Sequence, residues 1–164
     1  MNPTPVEALG PEPFRFTPAL GPSIEGPAFS TMFRVFAIAV VLGTALWMAS
    51  LWTQGKVSGG AVSILTWFLA ALAMLGYMCW LIVRSRTSLD TQEIRQTWAW
   101  EKKLELRELA YGKMIRIRGL DWLIAPRIYL RTLMGKFAVF YAADPAMVAE
   151  FERLIVELKA FRKF

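Results

Sequence analysis

Two long uncharged stretches dominate the pattern of hydrophobic and polar residues along this chain. Val35–Trp52 and Ala61–Val83 contain no Asp, Glu, Lys or Arg. As helices these runs would reach roughly 27 and 35 Å, enough to cross a hydrocarbon core of about 30 Å. Helices are expected because lipid offers the backbone no hydrogen-bond partners. The pattern predicts a two-helix transmembrane hairpin over residues 33–83, with its helices at about 33–53 and 61–83.

The alternative for these stretches is a pair of buried helices in a soluble protein. Core helices rarely stay uncharged over such a length, so the membrane interpretation is favoured. A transporter or proton path normally leaves an ionisable residue inside the membrane, and neither run contains one. The hairpin is therefore expected to be an anchor that can also pack against other membrane helices.

Residues 1–32 have a different composition. They contain seven of the nine prolines, with glycines between them. Proline fixes φ and lacks a backbone donor, which opposes helix and sheet formation. The sequence predicts an extended or disordered Pro-rich N-terminal tail.

Residues 84–164 are predicted to form a cytoplasmic α+β domain. Short strands are expected at Thr87–Asp90, Glu93–Trp98 and around Leu104–Leu109, followed by KMIRIR, RIYLRTL and FAVFYA. In KMIRIR, Ile115 and Ile117 are expected to face one side and Arg116 and Arg118 the other. A final amphipathic helix is predicted to begin after an Asp144 N-cap, with Pro145 in its first turn, and to cover the sheet.

The positive charge is concentrated in this domain. Residues 84–164 hold 16 Lys and Arg against 10 Asp and Glu, which accounts for the net charge of +6. Arg84 and Arg86 directly follow the second apolar run, and positive residues favour the cytoplasmic side. We expect a multi-pass protein of the bacterial inner (cytoplasmic) membrane with both termini in the cytoplasm.

Residue types needed for common catalytic chemistry are missing. The chain has no histidine, and its single cysteine, Cys79, lies inside the second apolar run. The usual acid/base catalyst and zinc ligand are thus absent, and no Gly-rich phosphate loop occurs. We expect no enzymatic activity, no catalytic residue, no metal and no cofactor.

The order of these segments resembles the bacterial PH-like (pleckstrin-homology-like) membrane proteins with a two-helix anchor. Ser88-Leu89-Asp90 is similar to the Leu-Thr-Asp pattern of the strand after the anchor in that family. The stretch LELREL, ending in Glu108-Leu109, resembles another of its strands. The resemblance implies a bent antiparallel sheet or partial barrel capped by the last helix. It implies no catalytic residue.

A set of basic residues on the predicted strands is the main candidate site. If neighbouring strands carry them on one outer face, they would meet anionic lipid headgroups or a partner. An ordinary solvated sheet face protected by charge is the equal alternative. Nucleic acid is not expected, because acidic residues are interspersed. The set is Lys113, Arg116, Arg118, Arg127, Arg131 and Lys136.

The apolar connector GLDWLIAP, residues 119–126, is the second candidate. Exposed apolar patches usually mark contacts, so a loop of this kind would dip into the membrane interface or dock a partner. The alternative is that Trp122 and Ile124 fill the core. The predicted docking residues are Trp122, Leu123, Ile124 and Tyr129.

Taken together, these patterns predict an interaction module that is integral to the bilayer. It would bind a membrane-protein partner as an accessory or regulatory subunit, or assemble as a homo-oligomer. The alternative is a sensor of anionic lipids or of membrane state without a fixed partner.

Overall fold

The computed structural model describes residues 12–55, 62–117, 119–120 and 122–162. It contains two long apolar helices, two antiparallel sheets and a C-terminal helix. In chain order the elements are β1 (Ser23–Pro27), α1 (Thr31–Thr53), α2 (Val62–Arg84), β2 (Arg86–Asp90), β3 (Glu93–Thr97), β4 (Glu101–Glu105), a 3-10 turn (Leu106–Glu108), β5 (Leu109–Ile115), β6 (Arg127–Thr132), β7 (Phe137–Tyr141) and α3 (Pro145–Arg162).

The helices α1 and α2 form the predicted apolar hairpin. Each has 23 residues, which corresponds to about 34 Å of helix. They pack against each other, and both are long and apolar enough to cross a membrane. The Ser30 side chain caps α1 by accepting a hydrogen bond from the Phe33 N–H at 3.1 Å. The prediction of two long apolar helices is confirmed to within two residues at each described end.

The first sheet has the order β1-β2-β3-β4, and every neighbouring pair is antiparallel. The predicted β2–β3 hairpin is present. The predicted strand through LELREL is instead divided, because β4 ends at Glu105 and a 3-10 turn precedes β5. Leu104, Leu106 and Leu109 are all buried. In a continuous strand Leu106 and Leu109 would face opposite sides, because they are three residues apart. The 3-10 turn changes the direction of the chain so that both side chains face the core.

The second sheet has the order β5-β6-β7. On β6, Ile128 and Leu130 are fully buried as predicted. On β5 the inward positions are Gly112 and Met114, so Ile115 faces outward with Tyr111 and Lys113, and Ile117 lies beyond the end of the strand. Gly112 sets this register because a Cβ there would lie 3.1 Å from the Leu130 side chain and 3.3 Å from that of Ile155.

Helix α3 covers the core as predicted. Asp144 caps its first turn by accepting a hydrogen bond from the Ala146 N–H at 3.3 Å. The apolar face of α3 meets the inner residues of both sheets in one cluster. Glu150 also lies on this covered side of α3 and is only 5% exposed. Its Oε1 accepts a hydrogen bond from the Ala19 N–H at 3.1 Å.

The N-terminal segment belongs to this folded unit from residue 12 onward. Ser23–Pro27 forms the edge strand of the first sheet, and Phe14, Phe16 and Ile24 are part of the buried core. The predicted disordered tail is therefore wrong for residues 12–30, while residues 1–11 lie outside the described residues. An extended Pro-rich segment can pack here because its alternate side chains bury apolar surface and strand β2 supplies its hydrogen bonds.

We expect Phe16→Ala to lower the free energy of unfolding by about 3 kcal/mol, because it leaves a cavity under the N-terminal segment. Phe16 is 2% exposed, and the Arg153 guanidinium lies 4.8 Å from its ring centroid. Denaturant unfolding of the full chain in detergent measures the change. The exposed neighbour Arg15→Ala is the control, and equal losses for both variants would contradict this packing.

Candidate functional site

The base of the helical hairpin is built directly into the first sheet. Strand β1 leads into α1, and β2 follows α2 after Ser85 alone. The Ala28 N–H donates to the Ser85 carbonyl at 3.2 Å, which extends the β1–β2 pairing to the start of the helices. Short connections with backbone hydrogen bonds leave little freedom between the sheet and the helices. The hairpin is therefore a long insertion between two paired strands.

A group of aromatic rings, the aromatic collar, surrounds the hairpin base. The Phe29 ring lies 5.5 Å from Phe33, 5.6 Å from Tyr141 and 6.5 Å from Trp98, measured between centroids. Trp98 in turn lies 6.1 Å from Trp100. Amphipathic rings of this kind favour the interface between lipid and water. The collar consists of Phe29, Phe33, Trp98, Trp100 and Tyr141.

The predicted apolar loop lies at the same level as the collar. The Ser30 hydroxyl donates to the Leu123 carbonyl at 2.7 Å, which fixes the loop beside the first turn of α1. Leu123 and Ile124 are half-buried, whereas Trp122 is 59% exposed. The alternative in which Trp122 fills the core therefore does not apply. The exposed indole extends the apolar surface around the hairpin base.

The outward side of the second sheet forms a separate surface, the outer sheet face. Lys113 pairs with Tyr129, while Arg131 lies between Tyr111 and Phe137. The Tyr129 and Phe137 rings stack with centroids 6.1 Å apart, and Phe137 is 70% exposed. None of the residues on this face is a carboxylate. The outer sheet face comprises Tyr111, Lys113, Ile115, Arg127, Tyr129, Arg131, Phe137, Val139 and Tyr141.

The structure brings together only part of the predicted basic set. Lys113, Arg127 and Arg131 share the outer sheet face, and Lys136 lies in the turn between β6 and β7. Arg116 is separate, because its guanidinium forms a 2.9 Å ion pair with Glu152 on α3. The expectation that it shares a face with Arg127 is wrong, since Gly112 and Met114 set the opposite alternation on β5. Arg118 lies outside the described residues.

Sequence reasoning missed a groove at the end of α2. Trp80 and Arg84 from α2 line it together with Arg86 and Arg95 of the first sheet and Trp98 of the β3–β4 connection. A hydrogen bond and charge interaction with Glu93 raise the pKa of Arg95 above its ordinary value, so this guanidinium stays charged. The signal in the sequence was the run Trp80–Arg86, in which an interfacial indole and two arginines follow each other.

The described residues offer no constellation for metal chemistry. No three His, Cys, Asp or Glu side chains within that part of the chain come together in a way that would hold a metal ion. Both surfaces consist instead of rings and cations suited to binding. Comparison of the chain with protein-family models, curated proteins and solved structures finds no match.

A nitroxide attached at Trp122→Cys should be more accessible to lipid-soluble oxygen than to a water-soluble nickel complex, because the loop lies beside the start of α1. The full chain would carry Cys79→Ala and be reconstituted in liposomes. The matched position is Met134→Cys, which is exposed in the β6–β7 turn about 17 Å along the strand from Arg127. Equal ratios of oxygen to nickel accessibility at both positions would contradict this placement.

Proposed function

We propose that this chain is a bacterial inner-membrane protein in which a transmembrane hairpin tethers a PH-like interaction module. The module would bind a partner protein at the cytoplasmic face, as an accessory or regulatory subunit. The observation that carries the proposal is an exposed, ring-rich and purely basic sheet face on a domain rigidly joined to two apolar helices. The order of four strands, three strands and a covering helix supports the PH-like assignment.

The length and composition of the two helices support membrane insertion. Helices of about 34 Å match a hydrocarbon core of about 30 Å, and α1 has no buried residue. An apolar surface of this extent would be strongly unfavourable in water. Because β1 and β2 are paired, both ends of the hairpin would leave the membrane on one side. The basic residues Arg34, Arg84 and Arg86 near that side favour the cytoplasm.

Both termini should therefore be labelled from the same side of the membrane. Leu20→Cys and Val156→Cys are at exposed positions, and each would be tested in the full chain with Cys79→Ala. A membrane-impermeant maleimide should label both in inside-out vesicles and neither in right-side-out vesicles. Gln54→Cys, at the far end of α1, should show the opposite pattern. Labelling of positions 20 and 156 from opposite sides would contradict the topology.

The outer sheet face has the composition of a docking surface. Aromatic residues and arginine are enriched where protein interfaces are most tightly packed. Rings that stay exposed on the domain gain most from burial against a partner, and the absence of carboxylates favours a partner with acidic groups. The face also lies on a domain whose orientation to the bilayer is fixed. A partner in the same membrane would therefore meet it in one geometry.

A photo-crosslinking amino acid at Phe137 should give a discrete adduct in native membranes, because this exposed ring stacks on Tyr129 within the proposed contact. Val156 on α3 is equally exposed and is the matched control position. Tyr129→Ala in the same chain should abolish the adduct at position 137, and high salt should lower its yield only partly, because the ring contact does not depend on charge. An adduct of equal yield at position 156, or one unaffected by Tyr129→Ala, would contradict docking at this face.

A second function is favoured by the aromatic collar and its neighbouring cations. Lys102 lies 5.6 Å from the Trp98 ring centroid, and Arg34 lies in the first turn of α1. Cations at this level attract anionic headgroups, so the module would respond to lipid charge without a fixed partner. Salt distinguishes the two functions, since screening weakens lipid attraction more than a desolvated ring contact.

A further inference from the structure

The groove at the end of α2, which the proposed partner docking does not use, has the features of a lipid-headgroup site. It is an open groove of about 550 Å³ that extends from Trp80 and Leu81, near the end of the apolar helix, to Arg86 and Glu101 on the sheet. One end is therefore apolar and the other charged. This change from apolar to charged lining residues matches the change in polarity from the acyl chains of a phospholipid to its headgroup.

The groove contains one cation without a carboxylate partner. Arg84 forms no ion pair within the described part of the chain, and its guanidinium lies 5.2 Å from the Trp80 ring centroid. A guanidinium stacked on a ring keeps its N–H groups directed outward in its own plane. Such a group can bind two phosphate oxygens at once. Arg84 is thus placed to hold a phosphate ester at the level where α2 ends.

Two carboxylates in the same groove are incompletely paired. Glu25 lies 3.4 Å from Arg86, and Glu101 lies 3.7 Å from Arg95. Both distances exceed the 2.7–2.9 Å that is typical of strong charged hydrogen bonds. The two side chains are 51% and 53% exposed. Their oxygens can therefore accept hydrogen bonds from an ammonium group that carries N–H donors.

One face of each indole in the groove is covered by a cation, which leaves a smaller aromatic surface for a second cation. Arg84 covers a face of Trp80, and Lys102 covers a face of Trp98. A quaternary ammonium has no N–H donor and depends on free ring faces. A primary ammonium instead binds carboxylates by hydrogen bonds. The arrangement therefore discriminates against choline and in favour of ethanolamine.

We propose that this groove binds a phosphoethanolamine headgroup, with the phosphate on Arg84 and the ammonium on one of the two exposed carboxylates, Glu25 or Glu101, which lie on opposite edge strands of the sheet. The geometry favours phosphatidylethanolamine of the surrounding bilayer over a soluble phosphoethanolamine ester, because Trp80 and Leu81 continue the groove along the apolar helix. The proposal rests on membrane insertion of the hairpin and is independent of partner docking. A lipid bound here would fill the groove between the end of α2 and the first sheet.

Native mass spectrometry of the delipidated full chain in mild detergent tests this site. Phosphatidylethanolamine, phosphatidylcholine and phosphatidylglycerol with identical acyl chains would be added at equal concentration. We expect the ethanolamine lipid to be retained about tenfold more than the choline lipid, which corresponds to one charged hydrogen bond. Arg84→Gln should reduce its retention by about the same factor. Arg107→Gln, an exposed arginine of equal charge outside the groove, should leave retention unchanged.

The carboxylates are tested by the double variant Glu25→Gln/Glu101→Gln, which should lower retention of the ethanolamine lipid to that of the choline lipid. Circular dichroism of each variant verifies that the fold is intact. Equal retention of the two lipids by the unaltered chain would overturn the proposal, as would a preference for phosphatidylglycerol. Full displacement by equimolar glycerophosphoethanolamine would identify a soluble ligand and contradict the lipid assignment. Maleimide labelling tests membrane topology separately, so a failure of the lipid-site proposal can be distinguished from a failure of the proposed membrane insertion.

Discussion

The antiparallel pairing of β1 with β2 is the constraint on which the position of the domain depends. These strands are adjacent in the sheet, yet the entire apolar hairpin lies between them in the chain. Each backbone hydrogen bond between them restrains the exit of α1 relative to that of α2. The sheet and the hairpin are therefore joined at two points. A domain attached in this way cannot rotate freely about a single linker.

Several features of the surface follow from that double attachment. The aromatic collar and the apolar loop lie at the hairpin base, where interfacial rings are stabilised. The outer sheet face extends from this base, beginning at Tyr141 beside Phe29 and ending at Phe137. The lipid contacts and the partner contacts proposed above would therefore lie at different distances from the hairpin base on one rigid unit. Arg127 lies nearer the hairpin base than Arg131, because it pairs with Tyr141.

The sequence was sufficient for elements that depend on local signals. Long uncharged runs predicted α1 and α2, and the Asp144 cap with apolar periodicity predicted α3. Strand β1 was not predictable, because SIEGP contains Gly26 and Pro27 and has weak strand propensity. Its pairing partner lies beyond two long apolar helices in sequence, and Gly26 is needed because a Cβ there would lie 3.0 Å from the Asp144 Cβ.

In the candidate site too, some features could be predicted from the local sequence, whereas others depend on tertiary packing. RIYLRT could be interpreted correctly because Ile128 and Leu130 are both large and inward. In KMIRIR either set of alternate residues could face the core. The close packing of Gly112 against α3 determines which set does. Arg116 consequently reaches Glu152. The groove at the end of α2 was missed since it combines residues from a helix and four strands that no local pattern connects.

Disulfide formation between β1 and β2 in the membrane tests the central claim most directly. Glu25 and Ser88 are opposite each other in the register. Opposite residues of an antiparallel pair have Cα atoms about 4.5–5.5 Å apart, within the range of a disulfide. Oxidation of Glu25→Cys/Ser88→Cys, with Cys79→Ala, should give one linked peptide by mass spectrometry. Glu25→Cys/Arg95→Cys, about 10 Å apart across two strand spacings, should remain unlinked. Failure of the first pair to link, or equal linking of both, would contradict the account.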